Sequence, residues 1–291
     1  LRIAGTLPRG TGGLPERRVV VVDHAQDRDR LAGYDRVCGF PLRDQVPPTW
    51  LHVLTFPLQL HLMTAADFPY PAVGMVHVAN EMSWQRPVTA DERLTLSCWA
   101  EGPRPHRKGV TVDLCGTAGV GDDLAWQGRS TYLVRGARMP DGSHEAGQPV
   151  GDPAPETTAE PPSPLPDAAG LLPRARWRLP ADLGRRYAAV AGDINPIHLH
   201  PLAARALGFP RAIAHGMWAH ARVLSALAPA SQLPAGRVRV GFQAPLLLPG
   251  TAQLAARPDG SAFAVTSAAG ERTHLAGTLQ PADFTNRPPA V

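Results

Sequence analysis

Residues 216–256 read GMWAHARVLSALAPASQLPAGRVRVGFQAPLLLPGTAQLAA. The spacing predicts a helix over Gly216–Ala228, with Met217, Ala221, Leu224 and Leu227 on one apolar stripe. A strand follows over Val238–Phe242, then the turn Phe242-Gln243-Ala244-Pro245, then a strand over Thr251–Ala256. The same order occurs earlier in the chain. A helix is predicted over Thr49–Met63, with Leu51, Leu54, Leu58 and Leu62 on its stripe, Thr49 as N-cap and a kink at Pro57. A strand over Gly74–Trp84, the turn Trp84-Gln85-Arg86-Pro87 and a strand over Leu94–Ala100 come next. Aromatic-Gln-x-Pro, met twice in one helix–strand–turn–strand order, indicates duplication. Further strands are predicted over Gly109–Cys115 and Trp126–Val134 in the first half, and over Phe263–Ser267 and Thr273–Leu279 in the second. Each half is then a long helix packed on an antiparallel sheet, an α+β unit. The two sheets can pair side by side and hide an edge strand each.

Between the halves, Gly136 to Pro173 is dense in proline and poor in large apolar residues, which suits a linker and not a core. The organisation expected is therefore residues 1–136, a linker over 137–173, and 174–291. Composition narrows the function. The chain has 291 residues with Lys+Arg 29, Asp+Glu 25 and a formal net charge of +4. That charge is spread along the sequence with few aromatics between, so nucleic acid is not the expected partner. Lys108, the single lysine, precedes Gly109 and not Ser or Thr, which excludes a P-loop. No window reaches the roughly 20 apolar residues of a membrane span. Cys38, Cys98 and Cys115 are widely spaced and odd in number, against a disulfide scaffold or a CxxC zinc site. With no charged-then-apolar layout at Leu1–Gly13, they point to a cytoplasmic location.

The chemistry concentrates in Tyr187 to Ala204, YAAVAGDINPIHLHPLAA. A helix over Asp182–Val190 stops at Gly192, and Asn195-Pro196 marks a turn. Asp193 and His198 thus sit off any continuous helix, and the turn can bring carboxylate and imidazole together. One reading makes Asp193 a turn cap and His198 a structural histidine. The other makes them a pair that moves protons to and from one water molecule. Ala214-His215-Gly216-Met217 opens the second-half helix without a Ser, Thr, Asp or Asn cap. Its free N–H groups and dipole favour negative charge, so the Gly216 amide is a candidate oxyanion donor. The plainer reading is that Gly216 permits a tight turn. His198, His200, His215 and His220 with Asp193 raise the question of a metal. No His-x₃-His pair on one helix supports it, and no metal is expected.

Tyr187–Ala204, together with Gly208-Phe209-Pro210, the Ala214–Met217 helix opening and Phe242–Pro245, resembles the signature of the MaoC-like (R)-specific enoyl-thioester hydratases and dehydratases. The resemblance implies a hotdog fold, a long helix wrapped by an antiparallel sheet, here as a double hotdog. It implies that Asp193 and His198 handle the water, that Asn195 orients them, and that the Gly216 amide binds the thioester oxygen. His215, Met217, Trp218 and Phe242 are the candidate substrate-binding residues beside them. Ala191 departs from the small hydroxyl residue or glycine usual before Gly192. The first half resembles a degenerate module without the Asp-x-Asn-Pro-x-His segment, which implies one site per chain and room there for the acyl tail. The expected activity is reversible hydration of trans-2-enoyl thioesters to (3R)-3-hydroxyacyl thioesters. The carrier is coenzyme A or acyl carrier protein, with no metal or redox cofactor and a homodimer as the possible assembly. A hotdog thioesterase and a non-catalytic acyl-thioester-binding subunit are the alternatives.

Overall fold

The computed structural model describes residues 13–139, 170–227 and 235–281. The chain runs β1 (Val19–His24), α1 (Arg28–Cys38), α2 (Pro48–Thr64), β2 (Met75–Trp84), β3 (Leu94–His106), β4 (Gly109–Val120) and β5 (Asp123–Arg135). It continues with β6 (Leu172–Leu179), α3 (Leu183–Ala191), α4 (Pro196–Leu199), α5 (Pro201–Ala206), α6 (Gly216–Ala226), β7 (Gly236–Phe242), β8 (Gly250–Ala256), β9 (Ala262–Ser267) and β10 (Thr273–Pro281). All ten strands form one antiparallel sheet in the order β1-β3-β4-β5-β2-β7-β10-β9-β8-β6. Read inward from its own free edge, the second half gives β6-β8-β9-β10-β7. This is the permutation of the first half, so the duplication expected from the two Aromatic-Gln-x-Pro turns extends to the whole strand topology. The two half-sheets join through β2 and β7, paired from Ala79↔Gly241 to Trp84↔Gly236. Across that seam the Glu81 carboxylate accepts from Arg237 Nε at 2.6 Å and Arg239 Nε at 2.8 Å.

The central helices explain the burial. In α2 the stripe Leu51, Leu54, Leu58 and Leu62 is buried, and so are Trp50, His52, Val53, Thr55 and Gln59 on other faces. The helix is wrapped by its half-sheet and met by other helices, so an amphipathic stripe widens to nearly the full circumference. One expectation for α2 is corrected. The helix starts at Pro48 with Pro47 at the cap position, and Thr49 makes no capping bond; its hydroxyl is buried inside the first turn. Proline at the first helical position has φ preset and needs no N–H partner, which moves the start one residue earlier. Pro57 lies inside the helix, which runs on to Thr64. Burial of both flanking turns outweighs the single backbone bond that proline removes.

In α6, Met217, Ala221, Leu224 and Leu227 are buried as the stripe requires; the helix ends at Ala226, and Ala228 lies outside the described residues. One side of α6 also holds the first half. Trp218 Nε1 donates to Val37 O at 3.0 Å, Arg222 Nη1 donates to Cys38 O at 3.4 Å, and the Ser225 hydroxyl donates to Gly39 O. These are the end carbonyls of α1, where Gly39 takes the left-handed conformation (φ 79°). Donors from α6 therefore satisfy acceptors that α1 cannot satisfy itself. Of the linker expected over 137–173, residues 140–169 lie outside the described residues, and Leu172-Pro173 open β6.

Candidate functional site

Helix α3 ends at Ala191, and Gly192 closes it in the left-handed conformation (φ 79°) with its N–H bonded to Ala188 O. The chain then turns. Asp193 Oδ1 accepts from Asn195 N at 3.1 Å, and the Asn195 side chain caps α4 by accepting from Ile197 N at 3.4 Å. Pro196 takes the first helical position. The turn is pressed onto α3 at Gly184, where an added Cβ would stand 1.9 Å from His198 O. Only glycine allows that approach. Sequence-local turn chemistry thus delivers Asp193 and His198 to one place, as the spacing implied. Asn195 sets the turn's geometry from within.

His198 is buried, with Nδ1 2.9 Å from Ile213 O. A carbonyl only accepts, so Nδ1 carries the proton and Nε2 the lone pair. The ring of His215 stacks on it with centroids 3.7 Å apart. His215 Nε2 lies 3.0 Å from Asp193 O and 3.8 Å from Asp193 Oδ2. A carboxylate oxygen of Asp193 and one ring nitrogen from each histidine all lie within 4.8 Å of one another. Three such groups match a metal ligand set in composition. Because His215 Nε2 faces a carbonyl at hydrogen-bond distance, that nitrogen is protonated and offers no lone pair to a cation. Burial lowers the His198 pKa, opposed by the Asp193 charge and the bond to Ile213 O. Burial, then the neighbouring His198, hold His215 well below the usual range. Both rings are neutral near pH 7. Asp193 keeps 31 % of its side-chain surface open to solvent, which gives the buried pair its opening.

Gly216 starts α6 directly beyond His215, whose side chain makes no capping bond. A Cβ on Gly216 would meet the Phe242 ring at 2.9, 3.0 and 3.2 Å. The helix start is therefore uncapped and lies against an aromatic wall from β7. Phe242 also meets His77 of β2 at 4.9 Å between centroids, and His77 stacks on Tyr132 of β5 at 4.7 Å. Of the four candidate substrate-binding residues, His215 and Phe242 adjoin the Asp193/His198 pair and Gly216. Trp218 turns toward Val37 and Trp177, and Met217 is packed in the core. Two tyrosines complete the surroundings. Tyr187 lies 4.9 Å from the His215 ring; burial first, and the Asp193 charge among other causes, raise the pKa of both Tyr187 and Tyr132. Arg30 of α1 donates from Nε to Val190 O at 2.6 Å and reaches the Gly192 turn. Tyr132 and Arg30 come from the first half, and no local pattern in the sequence announces them.

A central helix in each half, wrapped by one half of a continuous antiparallel sheet, defines a double-hotdog protein. Residues 146–269 match the MaoC like domain. The chain is 38 % identical over 255 residues to 3-hydroxyacyl-thioester dehydratase X of Mycobacterium tuberculosis, covering 86 % of this chain and 84 % of that protein. The crystal structure of HtdX of M. tuberculosis superposes with a TM-score of 0.75 at 33 % identity, covering 91 % of this chain and 100 % of that one. A conserved hypothetical protein of the same organism, described as having a double hotdog fold, gives a TM-score of 0.55 at 14 % identity over 92 % of this chain and 96 % of its own; this likeness concerns the fold alone. The chain belongs to the MaoC-like dehydratase family. No helix among the described residues is long and apolar enough to cross a membrane.

Proposed function

We propose that this chain is a hydro-lyase that interconverts trans-2-enoyl and (3R)-3-hydroxyacyl thioesters at the Asp193/His198 pair. Family membership and the 38 % identical dehydratase support the reaction class. The observation that carries the assignment of residues is the Asp193 carboxylate within 4.8 Å of a ring nitrogen of the buried His198, beside an uncapped helix start at Gly216. In the hydration direction a water molecule lies between Asp193 and His198 Nε2. Its oxygen bonds to C3 as Nε2 accepts one of its protons, and a proton is delivered from the pair to C2. The C2–C3 double bond becomes single, and one water has been added with no net change at the protein. Charge that gathers on the thioester oxygen during the step is met by the Gly216 N–H and the α6 dipole. Coenzyme A and acyl carrier protein are both compatible carriers, and the setting proposed is cytoplasmic.

The test is substitution of the pair. Asp193→Asn and His198→Gln are each expected to lower hydration of crotonyl-CoA by about 10²–10⁴-fold, the range of a lost general acid or base. Circular dichroism and thermal melting check that the fold persists. Full activity in either variant overturns the assignment.

A further inference from the structure

A concave site lies at the other end of α3 from the pair. It is a cleft of about 340 Å³ where the C-terminus of α1, the edge strand β6, the first turns of α3 and one side of α6 meet. Arg36, Arg176, Arg178, Arg186 and Arg222 line it, and no carboxylate does. Among the described residues none of these five arginines forms an ion pair. Four are exposed, and exposed arginines alone would be unremarked; Arg222 is the informative one. Its guanidinium is half-buried, lies 5.4 Å from the Trp177 ring and donates only to neutral acceptors, Cys38 O and Ser225 Oγ. Burial lowers its pKa, opposed by Cys38. A charge partly withdrawn from water without a counter-charge is costly, and four further cations converge on the same space. As the last strand of the sheet, β6 also turns one row of backbone groups away from β8.

We propose that this cleft binds the phosphate groups of the substrate's thioester carrier, an inference that rests on the hydro-lyase reading for the identity of its occupant. Guanidinium forks match phosphate oxygens in pairs. Position supports the connection. The nine residues of α3 rise about 13 Å, from Leu183 and Arg186 at the cleft to the Gly192–Asp193 turn at the reacting pair. Trp218, which also lines the cleft, follows Gly216 by two residues on α6. Cleft and pair thus occupy opposite ends of one rigid element.

Calorimetry with inorganic pyrophosphate and with adenosine 3′,5′-bisphosphate tests binding without any turnover. The wild-type chain is expected to bind, and the triple variant R176A/R178A/R186A to bind at least about tenfold more weakly. Arg36→Glu, a single change on another wall, is expected to act in the same direction and guards against misfolding of the triple variant. In kinetics the triple variant is expected to raise KM for crotonyl-CoA about tenfold with kcat little changed, and to leave the N-acetylcysteamine thioester, which has no phosphate, unaffected. A rise confined to the CoA thioester assigns the nucleotide's phosphates; an equal rise with crotonyl-acyl carrier protein assigns the phosphate that both carriers share. Absence of pyrophosphate and bisphosphate binding by the wild type, or equal KM rises for phosphate-bearing and phosphate-free thioesters, overturns the proposal. Binding retained in a chain that turns over no enoyl thioester overturns the lyase reading and leaves the anion site standing.

Discussion

Lowering the pH from 7.5 to 5.5 is expected to destabilise this fold by about 3 kcal/mol, and the origin is a set of buried neutral imidazoles. His52 of α2, His77 of β2, and His215 and His220 at the start of α6 and within it are held below the ordinary histidine range, first of all by burial. The value is about 4 for His52 and about 3 for His220. Each ring is charged in the unfolded chain once the pH drops below about 6.5, but stays neutral in the fold. Their contribution to stability is therefore whole above that pH and is lost as the pH falls toward the folded values. One pH unit below 6.5 costs each ring slightly more than about 1 kcal/mol, so the four together cost about 5 kcal/mol at pH 5.5. Asp35 opposes them. Burial raises its carboxyl to about 7, so between pH 7.5 and 5.5 it becomes neutral in the fold and returns about 2 kcal/mol. The remaining loss is a large part of the 5–15 kcal/mol typical of a folded domain. Urea titrations at pH 7.5, 6.5 and 5.5 measure it directly, and His220→Met should flatten the dependence by about one proton. Stability that holds constant or rises on acidification over this range would refute the reasoning.

The remaining expectations concern single contacts. The rate of hydration should fall on the acid side as His198 Nε2 is protonated, with its midpoint below 6.5 because burial depresses that ring; a kcat/KM profile with its acid midpoint above 7 would contradict that depression. Gly216→Ala should crowd the Phe242 ring, lower stability by about 1–3 kcal/mol and impair turnover, and Phe242→Leu added to it should restore the melting temperature; no effect of the first change would remove Phe242 from the site's wall. Trp218→Phe strips Val37 O of its donor and is expected to cost about 1 kcal/mol, read in a urea titration. Asp113 is nearly inaccessible, and although burial pushes its carboxyl up, Arg104, Thr131 and Arg129 hold it below the usual range. Asp113→Asn should therefore cost about 2 kcal/mol at pH 7, with the loss shrinking in acid as the wild-type carboxylate is itself protonated.

Most of this fold was legible in the sequence because its strands alternate or run apolar between Gly, Pro and Asp turns. The eight strands expected are all among the ten described, as β2–β5 and β7–β10, with ends extended by up to six residues as pairing continues beyond the apolar run, as in β3 to His106. The strands that went unread are the two outer ones. In β1 the segment Val19–His24 has no buried residue, so its pattern carries no inward face. In β6 only Trp177 and Leu179 are buried among Arg174, Arg176 and Arg178, directly after proline-rich sequence. Helix α1 also escaped, since Leu31, Tyr34 and Cys38 are a sparse stripe among charged residues. At the site, Asp193, Asn195 and His198 were legible because one turn carries all three. The stacking of His215 on His198 and the arrival of Tyr132 and Arg30 were not. The stacking joins two histidines 17 residues apart, one in α4 and one before α6; Tyr132 and Arg30 arrive through the pairing of the halves and through α1 lying on α3, over separations of about 60 to 160 residues with no sequence period to mark them.

The β2–β7 seam is formed within one polypeptide, and this alters what dilution can do to the protein. A pair of separate hotdog subunits would trade association against concentration. Here the partner is tethered at a fixed local concentration, so the junction survives wherever the chain itself stays folded. The same tether frees the two copies from being identical. A substitution in the first half is not repeated opposite itself, as symmetry would force in a homodimer, so one half can lose the turn bearing Asp193 and His198 while still serving as the brace for the other.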